Sequence, residues 1–314
     1  MIEARSLTKR YGRTAAVSDL SFTIKPGMVT GFLGPNGAGK TTTMRMILGL
    51  DRPTAGAVTV AGVPYARLKW PMREVGALLD AKAVHGGRSA GSYLISLAQT
   101  NDIPRRRVDE VLGIVGLADV AGRRSKGFSL GMSQRLGIAA ALLGDPRTLM
   151  FDEPVNGLDP EGILWIRTLM RSLAAEGRTV LVSSHLLAEM QSTADHLLVI
   201  GRGRMIADCS MAEFLAGPTA EAVRVRTPQA DVLATALAAG GGTVGRASGG
   251  ELEVRGLTED QVAEIAFANG VRVQHLAASR ASLEQVFMEL TADSVDFRST
   301  VPDGLEPTGN GTEA

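Results

Sequence analysis

The sequence predicts an α/β fold with a largely parallel sheet, followed by a small α+β unit. Three observations carry this reading. Apolar strand-like runs alternate with helical patterns as far as about residue 215, the order expected when crossover helices return each strand to one parallel sheet. One such run, "MVTGFLG", leads into a glycine-studded corner and then into helical spacing, "TTTMRMILGL". From Glu221 the pattern changes to short alternating strands, "EAVRVRT", "GELEVRG" and "VRVQHLA", with "ADVLATALAA" and "EDQVAEIAFANG" as helices between them. The expected boundaries are residues 1–217 for the first domain and 218–292 for the βαββαβ unit, which "SLEQVFMEL" closes. Residues 293–314 are polar and Pro/Gly-rich and are expected to be disordered.

Composition bounds the partners. A chain of 314 residues accommodates about two domains. Lys+Arg and Asp+Glu each number 33, so no excess charge points to nucleic acid. The single cysteine, Cys209, excludes an internal disulfide and fits a reducing compartment. No stretch reaches the roughly 20 apolar residues of a membrane span, and "MIEARSLTKRYG" lacks the apolar core of a signal peptide. Any membrane role is therefore expected to come through a partner.

The corner after "MVTGFL" reads as a phosphate cradle. Gly34, Pro35, Asn36, Gly37, Ala38, Gly39, Lys40, Thr41 and Thr42 satisfy G-x-x-x-x-G-K-[ST]. A backbone with few Cβ atoms can turn successive N–H groups toward one anion, and the positive end of the following helix adds to that field. Lys40 is placed to reach the β- and γ-phosphates, and the Thr41 hydroxyl to ligate Mg²⁺.

Two later strands end in polar residues, at the edge of an open sheet where ligands bind. "TLMFDEP" runs into Asp152 and Glu153. A nucleotide held by a phosphate loop needs one carboxylate to fix Mg²⁺ and, for hydrolysis, a base that positions water, and the pair fits those roles in that order. "RTVLVSSH" brings His185 to the same edge, and Asp159 follows on the turn "NGLDPEG".

On these motifs, in their order and spacing, residues 1 to about 215 resemble the nucleotide-binding subunit of an ATP-binding cassette (ABC) transporter. The resemblance implies a P-loop NTPase (ABC cassette) fold and ATP hydrolysis. It implies that Tyr11 stacks on adenine, that Gly34–Thr42 form the Walker A loop and that Asp152 with the catalytic Glu153 completes Walker B. Asp159 becomes the D-loop aspartate and His185 the γ-phosphate-sensing switch.

The family's LSGGQ signature stands here as "FSLGM", with Ser129 and Gly131 retained, Leu130 at the first glycine and Met132 at the glutamine. Ser129 is suited to cap the helix that follows, leaving a positive helix end for a phosphate. In the family that end contacts the nucleotide held by the other subunit, so a dimer around two MgATP is implied. Asp80, in "REVGALLD", stands where the family has the Q-loop glutamine, and a carboxylate there can still serve Mg²⁺. Within the family the chain is most similar to half-size ATPases of drug and antibiotic exporters, daunorubicin type included. The resemblance implies a separately encoded multi-span permease and a place at the cytoplasmic face of the membrane. The alternatives are a soluble non-transport ABC ATPase and a drug-binding resistance module with a regulatory nucleotide site.

Overall fold

The computed structural model describes residues 1–81, 83–215, 221–246 and 251–280. The chain opens with β1 (Ile2–Tyr11), β2 (Thr14–Ile24) and β3 (Met28–Leu33), then α1 (Lys40–Ile47) and β4 (Ala55–Val60). After these come α2 (Pro71–Glu74), β5 (Val75–Leu78), α3 (Ala90–Thr100), α4 (Arg106–Ile114) and α5 (Leu130–Leu142). The first domain continues through β6 (Thr148–Asp152), α6 (Pro160–Ala175), β7 (Thr179–Ser184), α7 (Leu187–Gln191), β8 (His196–Gly201), β9 (Arg204–Ser210) and α8 (Met211–Leu215).

The central sheet has the order β5-β6-β7-β3-β8-β9. Its first five strands pair in parallel, and β9 closes the edge antiparallel to β8. Both faces are covered, which is why its strands are apolar without alternation. Leu149 and Phe151 of β6, with Val180 and Val182 of β7, pack among residues of α3, α4, α5 and α6. Met150 and Leu181, the residues between them, pack on the opposite side against α1 and β1–β2.

That second layer lies outside the largely parallel sheet that the sequence predicts. β1, β2 and β4 form a separate antiparallel sheet, in the order β2-β1-β4. Only Gly12 and Arg13 separate β1 from β2, too few residues for a crossover helix, so a hairpin is the available connection.

The second unit is built from β10 (Glu221–Arg226), α9 (Ala230–Ala239), β11 (Thr243–Arg246), β12 (Leu252–Arg255), α10 (Glu259–Ala268) and β13 (His275–Arg280). The order β11-β12-β10-β13 is antiparallel throughout. Its core, including Val225, Leu233, Leu252 and Val262, is distinct from both cores of the first domain. The expected 217/218 boundary, the closing segment "SLEQVFMEL" and the tail 293–314 lie outside the described residues.

Candidate nucleotide site

The carboxyl edge of the central sheet collects the polar ends of β3, β6 and β7. β3 feeds the phosphate loop, whose last residue, Gly39, caps α1 at φ 103°. A Cβ at Gly39 would stand 2.5 Å from the carbonyl oxygen of Ala16, so both the left-handed backbone and the close approach require glycine. The loop frames a cavity of about 200 Å³ that Ala16, Asn36, Thr42, Asp152 and Glu153 also line.

Lys40 is only 6% exposed. Its Nζ donates to the carbonyl oxygens of Gly34 at 2.5 Å and Pro35 at 3.3 Å, and lies 3.8 Å from Oε1 of Glu153. Burial pushes its pKa down, while the Glu153 and Asp152 carboxylates pull it back up. Such a cation, bonded to loop carbonyls at the cavity wall, is suited to an anionic ligand.

The Thr41 hydroxyl donates to Oδ2 of Asp152 at 2.6 Å. The other oxygen of that carboxylate accepts from the Ser183 hydroxyl, and Ser183 Oγ in turn accepts from the Glu153 N–H at 2.9 Å. Strand register explains this contact, since Asp152 of β6 is the Cα partner of Ser183 of β7. Thr41 and Asp152 present hard oxygen donors to the mouth of the phosphate loop, a set that fits a divalent cation sharing phosphate oxygens. Among the described residues no group of three or more His, Cys, Asp or Glu forms a protein-only metal cage.

Glu153 has φ 49°, a left-handed conformation uncommon outside glycine. Its Oε2 lies 2.9 Å from Nδ1 of His185. Burial pushes the Glu153 pKa up, against the opposing effects of His185 and Lys40. A half-buried carboxylate with a raised pKa, beside a histidine and a phosphate loop, is equipped to accept a proton from water or to orient it.

The remaining expected residues fall elsewhere. Tyr11 ends β1 half exposed, with Lys9 Nζ 5.0 Å from its ring centroid and its hydroxyl donating to Oδ2 of Asp51 at 3.0 Å. Asp80 is exposed, two residues beyond β5, at the same sheet edge as Asp152. Ser129 caps α5, its Oγ accepting from the Met132 N–H at 3.2 Å. Asp159 caps α6, accepting from the Gly162 N–H at 2.9 Å. A Cβ at Gly131 would stand 2.9 Å from the Gly157 carbonyl oxygen, so the start of α5 lies against the loop that leads to Asp159. Sequence reasoning passed over Ser183 and Gln134, whose amide contacts the Glu153 carbonyl. The signal for Gln134 was its place on the stripe it shares with Ile138 and Ala141, which helical spacing turns inward.

A phosphate loop at the carboxyl edge of a parallel sheet, with the Thr41–Asp152 and Glu153–His185 pairs beside it, defines a nucleoside-triphosphate-binding cassette. The family model described as ABC transporter matches residues 17–156, and one described as a domain of unknown function matches residues 221–284. The ABC transporter ATP-binding protein YhcH of Bacillus subtilis (strain 168) is 34% identical over 310 residues, covering 94% of this chain and 97% of its own length. The bacitracin transport ATP-binding protein BcrA of Bacillus licheniformis is 42% identical over 209 residues, 66% of this chain and 68% of the relative. An ATP-binding subunit of an ABC transporter superposes with a TM-score of 0.64 at 26% identity, covering 69% of this chain and 92% of its own. The dimeric cassette MJ0796 bound to ADP and Pi shares the fold, with a TM-score of 0.62 at 24% identity over 67% of this chain and 99% of its own. The chain belongs to the ATP-binding proteins of the ABC transporter family: it is an ATP-binding, ATP-hydrolysing transport subunit. Among the described residues no helix is long and apolar enough to cross a membrane.

Proposed function

We propose that two copies of this chain enclose two ATP molecules and drive a separately encoded membrane permease that exports an antibiotic, a drug or a lipid-like compound. The observation that carries this is the assembly of Lys40, Thr41, Asp152 and Glu153 around the cavity of the phosphate loop, with His185 held against Glu153. The loop amides of Gly34–Thr42 and the Lys40 ammonium bind the phosphates, and the Tyr11 ring carries the adenine. Thr41 and Asp152 would hold Mg²⁺, and Asp80 would assist in the role of the family's Q-loop glutamine. A bound Mg²⁺ would neutralise phosphate charge.

Glu153 orients water and accepts its proton, while His185 holds that carboxylate and faces the γ-phosphate. The Ser129–Gly131 end of α5 serves the nucleotide of the other copy, and Asp159 lies in the loop between the two sites. ATP binding then closes the dimer and hydrolysis reopens it, the motion passing to the permease. Relatives support the cargo class: BcrA is a bacitracin transport protein and SrtF of Streptococcus pyogenes, 35% identical over 206 residues, a lantibiotic transport protein. In this reading the subunit works at the cytoplasmic face of the membrane, held there by the permease, with residues 218–292 serving dimer contacts or regulation.

Glu153→Gln keeps ATP and loses turnover, so size exclusion with MgATP yields a dimer, whereas Lys40→Ala loses the nucleotide and stays monomeric. A Glu153→Gln protein that hydrolyses ATP near the wild-type rate overturns the assignment. Whether the neighbouring reading frame encodes a protein with about six apolar spans tests the permease half of the reading.

A further inference from the structure

Gln134 lies in the second turn of α5 and is 5% exposed. Its Nε2 donates to two main-chain carbonyl oxygens, of Glu153 at 3.2 Å and of Asn156 at 3.3 Å. Carbonyl oxygens only accept, so the amide nitrogen is the end that faces them. The other end, Oε1, is buried and has no hydrogen-bond partner among the described residues. Leaving an acceptor unpaired in a protein interior is unfavourable, and an apolar side chain of the same volume would avoid it. What such a side chain would lose is the grip on residues 153–156.

That grip falls on a strained position. Glu153 holds φ 49°, and the direction of its carboxylate depends on that backbone. Its N–H is fixed from β7 by Ser183, and its carbonyl is fixed from α5 by Gln134. The main chain of Glu153 is therefore clamped on both sides. The α5 side of the clamp starts one turn after Ser129 and Gly131, where the helix lies against Gly157.

We propose that Gln134 is a positioning residue for ATP hydrolysis: its amide holds the Glu153 backbone so that the carboxylate faces the phosphate loop, and ties that carboxylate to the amino-terminal end of α5. A displacement of that helix end reaches the water-handling group of the same chain through one side chain. The inference rests on Glu153 handling water.

The test uses the full chain with MgATP and compares Gln134→Met, Gln134→Asn and Glu153→Gln. Gln134→Met removes both donors at nearly constant volume. Gln134→Asn keeps the amide but shortens its reach, and opens so small a gap that the fold survives if methionine is not tolerated. For either folded variant, kcat falls by about tenfold to a hundredfold, the scale for a misplaced catalytic group, while ATP affinity measured by titration stays within about twofold. If Glu153→Gln abolishes hydrolysis but a folded Gln134 variant keeps the wild-type kcat, the positioning role is overturned and the reading of Glu153 stands. If kcat and affinity fall together, Gln134 only stitches helix to loop, and the proposal is again overturned. If Glu153→Gln itself hydrolyses ATP near the wild-type rate, the reading of Glu153 fails first.

Discussion

His185 Nδ1 lies 2.9 Å from Glu153 Oε2, joining the first residues beyond two adjacent parallel strands. The contact restrains a carboxylate already perched on a left-handed backbone, and it opposes the effect of burial on that group. Replacing His185 with Ala frees the carboxylate from its one imidazole contact. We expect kcat to fall by about a hundredfold, within the range for a positioned proton-transfer group. ATP affinity, held by Lys40 and the loop amides, should change little. Rapid-quench turnover together with nucleotide titration checks both parts. Loss of affinity equal to the loss of rate would make His185 a binding residue instead.

Asp80 stands beyond β5, next to the strand that carries Asp152. If it does the work of the family's glutamine, its absence harms coupling more than binding, because Thr41, Asp152 and Lys40 remain. Asp80→Ala is expected to keep ATP affinity within a few-fold and to lose most of the stimulation of hydrolysis by the reconstituted permease. Asp80→Gln should preserve much of it. ATPase rates of the three proteins with and without the permease decide, and full stimulation in Asp80→Ala removes Asp80 from the site.

Gly157 has φ 77°, and a Cβ there would overlap the Leu130 side chain. Leu130 occupies the space over the loop that leads to Asp159 and remains 44% exposed. Gly157→Ala should destabilise the fold by about 1–3 kcal/mol, the cost of a strained site. Adding Leu130→Ala removes the two closest atoms and leaves its Cβ at 2.9 Å, so it should recover most of the overlap and leave chiefly the backbone part, about 1–2 kcal/mol. Denaturant midpoints of the single and double variants measure the coupling, and strictly additive effects would refute the contact.

The residues of β10–β13, α9 and α10 share no core member with the first domain. A chain ending near Gly217 should therefore fold and bind ATP with affinity within about twofold of the full chain, as expected when the removed part carries no ligand contact. Titration with a fluorescent nucleotide measures this. A folded truncate without affinity would place part of the site in the second unit.

The sequence by itself determined the local chemistry: a glycine loop carrying Lys40 and Thr41, an apolar strand ending in Asp152 and Glu153, Ser129 where a helix begins, and Asp159 on the turn after that strand. These signals are local because loop conformation, strand burial and capping act over a few residues, and all stand in the structure as expected. The βαββαβ order was also legible, since alternation and helical spacing differ within each short segment. Tertiary structure alone decided which ends meet. Strand order put β6 beside β7, so that Ser183 reaches Asp152 and His185 reaches Glu153, across 31 and 32 residues of chain. It paired β4 with β1 rather than with the central sheet, because the hairpin offers an edge and the apolar side of α1 needs a cover. It turned Gln134 inward onto the Glu153 carbonyl, and left Tyr11 against Asp51. Contacts of this kind depend on how layers stack and strands register, which is a property of the whole packed chain and of no single segment.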